Sequence, residues 1–207
     1  MGYLRFSTTI AGFLTKKTNG SRETELILSY AVEVLVINLA NVLATLILGF
    51  VLGVFTETIV CLVTVAFFRH TAGGAHSNSP WRCAVVTVAV FPFMALLGSQ
   101  MVKYMNYDHI NMFCLGSLLL GFMIISLLAP VGSAAAPIKS KKRKYILKVL
   151  ALCVLLAIAV TQYKLTYSSL DNAAIIKVCL TLGVLWECFL LSAIGHKSLD
   201  FIDRVFN

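Results

Sequence analysis

Charge is scarce in this chain. Asp, Glu, Lys and Arg make up 13% of its 207 residues, about half the share found in soluble domains. Acidic groups are the scarcer sign, 9 against 17 basic. Polar surface is too small to cover a soluble fold of this size, so a soluble enzyme is excluded, as are a disordered chain and a collagen-like one. The six cysteines form no C-x-x-C pair and no disulfide-framework spacing, which sets aside redox and disulfide-scaffold readings. Residues 1–25 hold no apolar core of signal-peptide length and no small-residue cleavage site, so they do not read as a signal peptide.

What is present is apolar: 59% of the residues, with a mean hydropathy of +0.89. That is the composition of an integral membrane protein with several spans. A net charge of +8 suits either nucleic acid or the cytoplasmic face of a bilayer. The hydropathy favours the bilayer and leaves no role for nucleic acid.

Six apolar segments follow one another, at about 26–53, 57–68, 83–102, 110–128, 145–161 and 173–194. Backbone in lipid must satisfy its own hydrogen bonds, so all six are expected to be helices. With the N-terminus inside, Arg5, Lys16, Lys17, Arg22, Arg69, Arg82, Lys139, Lys141, Lys142, Arg143, Lys144, Lys148, Lys197 and Arg204 fall on the inner side. Only Lys103, Lys164 and Lys177 fall outside. This asymmetry predicts an all-α protein of six transmembrane helices with N- and C-termini cytoplasmic. Merging the first two segments would scatter the basic groups over both faces. Tyr3, Phe6, Ile10, Phe13 and Leu14 follow a helical spacing, which suggests an N-terminal amphipathic helix on the inner interface. The chain reads as one polytopic domain, 1–207, with a cytoplasmic or interfacial segment at 1–25, a polar loop at 69–82 and a basic loop at 129–144.

The loop 69–82 and the cysteine after it carry the densest set of reactive groups, Arg69, His70, His76, Arg82 and Cys83. Ser79 suits an N-cap and Pro80 the first helical position. Cys83 then lies in the first turn, where unpaired N–H groups and the helix dipole favour a thiolate, as does Arg82. His76 precedes the cap by three residues and is placed to exchange a proton with that sulfur. Gly73-Gly74 allows a sharp bend and close backbone approach, and its N–H groups could hold an oxyanion. A zinc site on His70, His76 and Cys83 is a second reading, although the loop offers no carboxylate or further cysteine and the spacing matches no familiar metal pattern. A polar turn with an incidental histidine is the third.

The string Arg69-x-x-x-Gly73-Gly74-x-His76-x6-Cys83 resembles the accessory gene regulator B (AgrB) family of membrane endopeptidases. Leu128-Ala129-Pro130-Val131-Gly132-Ser133, followed by Pro137-Ile138 and a lysine run, is similar to that family's second signature. Many members carry Asn-Lys before that proline, where this sequence has Ala135-Ala136. The resemblance covers essentially the whole chain. It implies a bacterial plasma-membrane protein, multi-pass and homodimeric. It also implies a thiol protease that needs no cofactor or metal and acts in quorum sensing. Such proteins remove the acidic C-terminal tail of a small amphipathic, AgrD-like propeptide and help cyclise it to a thiolactone. By this likeness Cys83 is the nucleophile and His76 the general base. Gly73, Gly74, Ser77, Arg69 and Arg82 are candidates for oxyanion or substrate contacts. Arg69 and the 139–148 lysine run could bind the acidic tail, or simply lie at the lipid interface. Glu33, Asn38, Asn41 and Glu187 lie inside spans, either at helix interfaces or along a peptide path. A transporter built on Glu33 and Glu187 is therefore the alternative function.

Overall fold

The structure, a computed structural model, describes residues 5–18, 20–75, 79–132, 138 and 140–205. These form eight helices: α1 Arg5–Lys17, α2 Arg22–Val51, α3 Phe55–Thr71, α4 Pro80–Tyr104, α5 Tyr107–Leu128, α6 Lys141–Thr166, α7 Ala173–Leu191 and α8 Ala193–Val205. Among the described residues, the only β-type pairing is an isolated bridge between Gly73 and Val131. Helices satisfy their backbone internally, which an apolar chain in lipid requires.

Five helices are long and apolar enough to cross a membrane: α2, α4, α5, α6 and α7. α3 has 17 residues, about 25 Å at 1.5 Å per residue, short of the roughly 30 Å of hydrocarbon. It is nevertheless separate from α2. The chain breaks at Leu52-Gly53-Val54, with Gly53 at φ +71, and α3 turns back along α2 with Thr58 against Gly49.

α7 is the central helix and packs on α3, α4, α5, α6 and α8. Small residues bring its neighbours close: Gly183 faces Thr64 of α3, Gly121 of α5 faces Val184, and Gly98 of α4 faces Cys179. Without a hydrophobic drive between helices in lipid, such close backbone approach is the main source of packing energy. The apolar core around it includes Phe68 of α3 and Ala72 just after it, Ile125 of α5 and Ala129 just after it, and Val184, Cys188 and Leu191 of α7.

At the opposite end of α7, Lys177 is 1% exposed. Its ammonium donates to Asn111 Oδ1 and to Thr166 Oγ1, the latter at 2.8 Å, and lies 5.2 Å from the centre of the Tyr107 ring. The charge count placed Lys177 on the outer side, at the start of the last apolar segment. The structure instead buries it as a polar tie between α5, α6 and α7.

α1 presents Ser7, Ala11 and Thr15 to α2 and leaves Phe6, Phe13 and Leu14 exposed. The small stripe permits close packing and the aromatic stripe is left for an apolar surface, as an interfacial helix would arrange it. The sixth apolar segment ends sooner than hydropathy suggested, because Ser192 stops α7 and starts α8. Its Oγ accepts from Gly195 N–H at 3.2 Å, and its carbonyl accepts from His196 N–H at 3.2 Å. α8 buries Leu199 and Asp203 and exposes Ile194 and Phe201.

Candidate active site

Two loops that are far apart in sequence meet on the end of the core. The first leaves α3 at Ala72, and the second leaves α5 at Ala129. Val131 N–H donates to Ala72 O at 2.9 Å, and Gly73 pairs with Val131. Gly73 has φ +81 and Gly74 has φ +108, backbone regions that glycine alone enters readily. Space makes the same demand: a Cβ on Gly73 would collide with Val131 O, and one on Gly74 would press on Arg69 Nη1 and Leu190 at 3.3 Å. The double glycine therefore serves an approach between protein segments.

The first loop is also tied to α7 and α3. Ala75 N–H donates to Leu190 O at 2.9 Å. Arg69 Nη2 donates to Ala75 O at 2.6 Å. The guanidinium thus turns inward, onto the loop. It lies within electrostatic reach of the Cys83 thiol and the Glu187 carboxyl.

α4 begins at the expected place. Ser79 is its N-cap residue, extended at φ −115 and ψ 127, and Pro80 opens the helix. The Ser79 side chain makes no capping bond, but its carbonyl accepts from Cys83 N–H at 3.1 Å. Cys83 is half-buried at this first turn, Cys153 is exposed in the middle of α6, and the other four cysteines are buried. Arg82 points away toward α8. It donates to Asp203 O at 2.8 Å and pairs with Asp203 Oδ1 at 3.3 Å.

Of the residues expected at the site, Arg69 and Gly74 meet directly, Gly73 meets the second signature, and Cys83 lies within electrostatic reach of the guanidinium. Arg82 instead anchors α8. His76 and Ser77 lie outside the described residues, as do Asn78 and the Ala135-Ala136 pair. Val131, Leu190 and Asp203 were not anticipated. Val131 lay in the proline signature, while the other two act through contacts that only the fold creates. Among the described residues, no three His, Cys, Asp or Glu side chains converge as metal ligands. A cavity of about 1140 Å³ lies elsewhere, between α1 and α2, lined in part by Glu25, Ser29 and Glu33.

The chain is similar throughout its length to known proteins. It is 29% identical over 206 residues to AgrB-like protein 2 of Clostridium perfringens (strain 13 / Type A), covering 97% of this chain and 96% of that one. It is 27% identical over 173 residues to an AgrB-like protein of Clostridium acetobutylicum, covering 83% and 77%. It is 24% identical over 149 residues to accessory gene regulator protein B of Staphylococcus aureus (strain bovine RF122 / ET3-1), covering 70% and 76%. No solved structure matches it. The family model for accessory gene regulator B matches residues 7–191. With that match and its apolar helices, the chain is a multi-pass bacterial membrane protein of the accessory gene regulator quorum-sensing system, and it belongs to the accessory gene regulator B family.

Proposed function

We propose that this protein is a membrane cysteine endopeptidase that matures a small signal propeptide at the cytoplasmic face. Family membership implies a propeptide partner. The observation that carries the reading is the setting of Cys83: a half-buried thiol in the first turn of α4, within electrostatic reach of a guanidinium whose loop is held between Val131 and Leu190.

The chemistry follows from that setting. The Cys83 thiolate adds to the scissile carbonyl carbon, with His76 taking the thiol proton. The C–N bond breaks, and the tail leaves as an amine that receives the proton. The rest of the propeptide stays as a thioester on Cys83 Sγ. A cysteine thiolate of the propeptide then attacks that carbonyl, closes a thiolactone and frees Cys83. One thioester replaces another, so ring closure needs little driving force once the tail is gone.

The substrate in this reading is AgrD-like: amphipathic, lying on the bilayer, with an acidic C-terminal tail. The charge pattern along the sequence supports six spans with both termini cytoplasmic, α3 completing the set, and the resemblance supports a homodimer. Lys141, Lys142, Arg143 and Lys144 are exposed at the start of α6. Cations at a helix N-terminus oppose the dipole, and an anion beside them, a lipid headgroup or the propeptide tail, would offset that. The transporter alternative gains little. Glu33 borders the groove between α1 and α2, while Glu187 is closed inside the packing of α7.

The test is co-expression with the propeptide encoded beside the gene. Cys83→Ala and His76→Ala are each expected to abolish tail removal while leaving protein levels in the membrane unchanged. Intact processing by both variants would refute the reading.

A further inference from the structure

Gly195, Leu199 and Asp203 of α8 recur every fourth residue, so they share one side of the helix. All three are buried, and each meets a different part of the molecule. A Cβ on Gly195 would collide with Phe189 O, so the glycine lets α8 fold back on the end of α7. Leu199 lies in one buried cluster with Leu190 of α7 and Ala75 of the first loop. Asp203 receives Arg82, the residue before Cys83: Arg82 Nη1 donates to Asp203 O at 2.8 Å and to its Oδ1 at 3.3 Å.

Leu199 and Asp203 stand about 6 Å apart along the helix axis, at 1.5 Å per residue. One turn of α8 therefore joins the end of the Gly73–Ala75 loop to the first turn of α4. The ionic end of this link is little exposed, 21% at the Arg82 side chain and 7% at that of Asp203. Water and salt screen such a pair less than one on the open surface. Because Arg82 holds the main chain of Asp203 as well as its carboxylate, the link fixes the helix itself and not only a mobile side chain.

Taking the endopeptidase reading as its basis, we infer that α8 braces the site and that Arg82 and Asp203 are positioning residues of the reaction. Asp203 holds Arg82, Arg82 holds the first turn of α4, and Cys83 in that turn is thereby set against the loop whose Ala75 shares the Leu199 cluster. Neither side chain touches substrate, and their loss is felt at Cys83.

The experiment uses the full chain in lipid nanodiscs and the propeptide encoded beside its gene. Arg82→Ala is expected to lower kcat by about tenfold with KM changed by less than about twofold. Asp203→Ala is expected to lower kcat by about threefold, since its main-chain carbonyl still accepts from Arg82. The double variant should be no slower than Arg82→Ala alone, because both changes remove one link. Hydrogen exchange of the Cys83 amide, which bonds Ser79 O, should speed by about threefold in each.

Wild-type kcat in both single variants would overturn the inference, as would losses that multiply in the double variant. A rise in KM with kcat kept would also overturn it, since that is the mark of a lost substrate contact. So would faster exchange confined to residues 193–205. Should Arg82→Ala fail to fold, Asp203→Ala decides by the same kcat, KM and exchange readings. If Cys83→Ala still processes the propeptide, the endopeptidase reading fails instead, and exchange at Cys83 still decides whether α8 braces the start of α4.

Discussion

Replacing Gly73 with alanine probes the junction of the two loops most sharply. The residue sits at φ +81, where a side chain costs about 1–3 kcal/mol. Its new Cβ would collide with Val131 O, so the second loop must retreat. The bond from Val131 N–H to Ala72 O is then lost, at about 1 kcal/mol. The joined arrangement is disfavoured by about 2–4 kcal/mol in sum, and each 1.4 kcal/mol is tenfold in population. Propeptide processing per folded molecule should fall by about 30-fold or more, while helical content by circular dichroism stays unchanged. Gly53→Ala is the matched control. It has φ +71 with nothing within 4 Å of its Cβ, at the far end of α3. It carries a similar strain without the collision, and processing should be unaffected. A Gly73→Ala variant that processes within about threefold of wild type would refute the claim that contact between these loops forms the site.

The Arg82–Asp203 tie should also be felt in α8 itself. Arg82→Ala is expected to speed hydrogen exchange across residues 193–205 by about tenfold or more, from loss of a charge-assisted bond of about 1.5–3 kcal/mol. Asp203→Ala should do less, because Arg82 still bonds the Asp203 backbone carbonyl. Exchange unchanged in Arg82→Ala would show that the tie does not hold the helix. A chain with Cys61, Cys114, Cys153, Cys179 and Cys188 all changed to alanine should process its propeptide at the wild-type rate per folded molecule. A loss that restoring one of those five reverses would move the chemistry away from Cys83.

Much of this architecture was legible because it is local. Apolar runs gave the five long helices, Ser79-Pro80 gave the start of α4, and Gly73-Gly74 gave the sharp turn after α3. α8 was missed because its apolar residues, Leu199 and Ile202 among them, are too few to raise hydropathy and show only as a helical spacing. Lys177 looked like a surface charge because nothing in sequence links it to Asn111 and Thr166. Arg82 lies beside Cys83 in sequence, yet its head group is spent on Asp203, 121 residues away.

The most direct test of the central claim is to look for the acyl-enzyme. A propeptide whose ring-closing cysteine is changed to alanine lacks the nucleophile that would release the thioester, so the acylated enzyme should accumulate. Intact-protein mass spectrometry should then find the chain heavier by the tail-less propeptide. The adduct should map to Cys83, be discharged by neutral hydroxylamine, and be absent in Cys83→Ala. Tail removal with no adduct at any time, or with the adduct on another residue, would contradict the account.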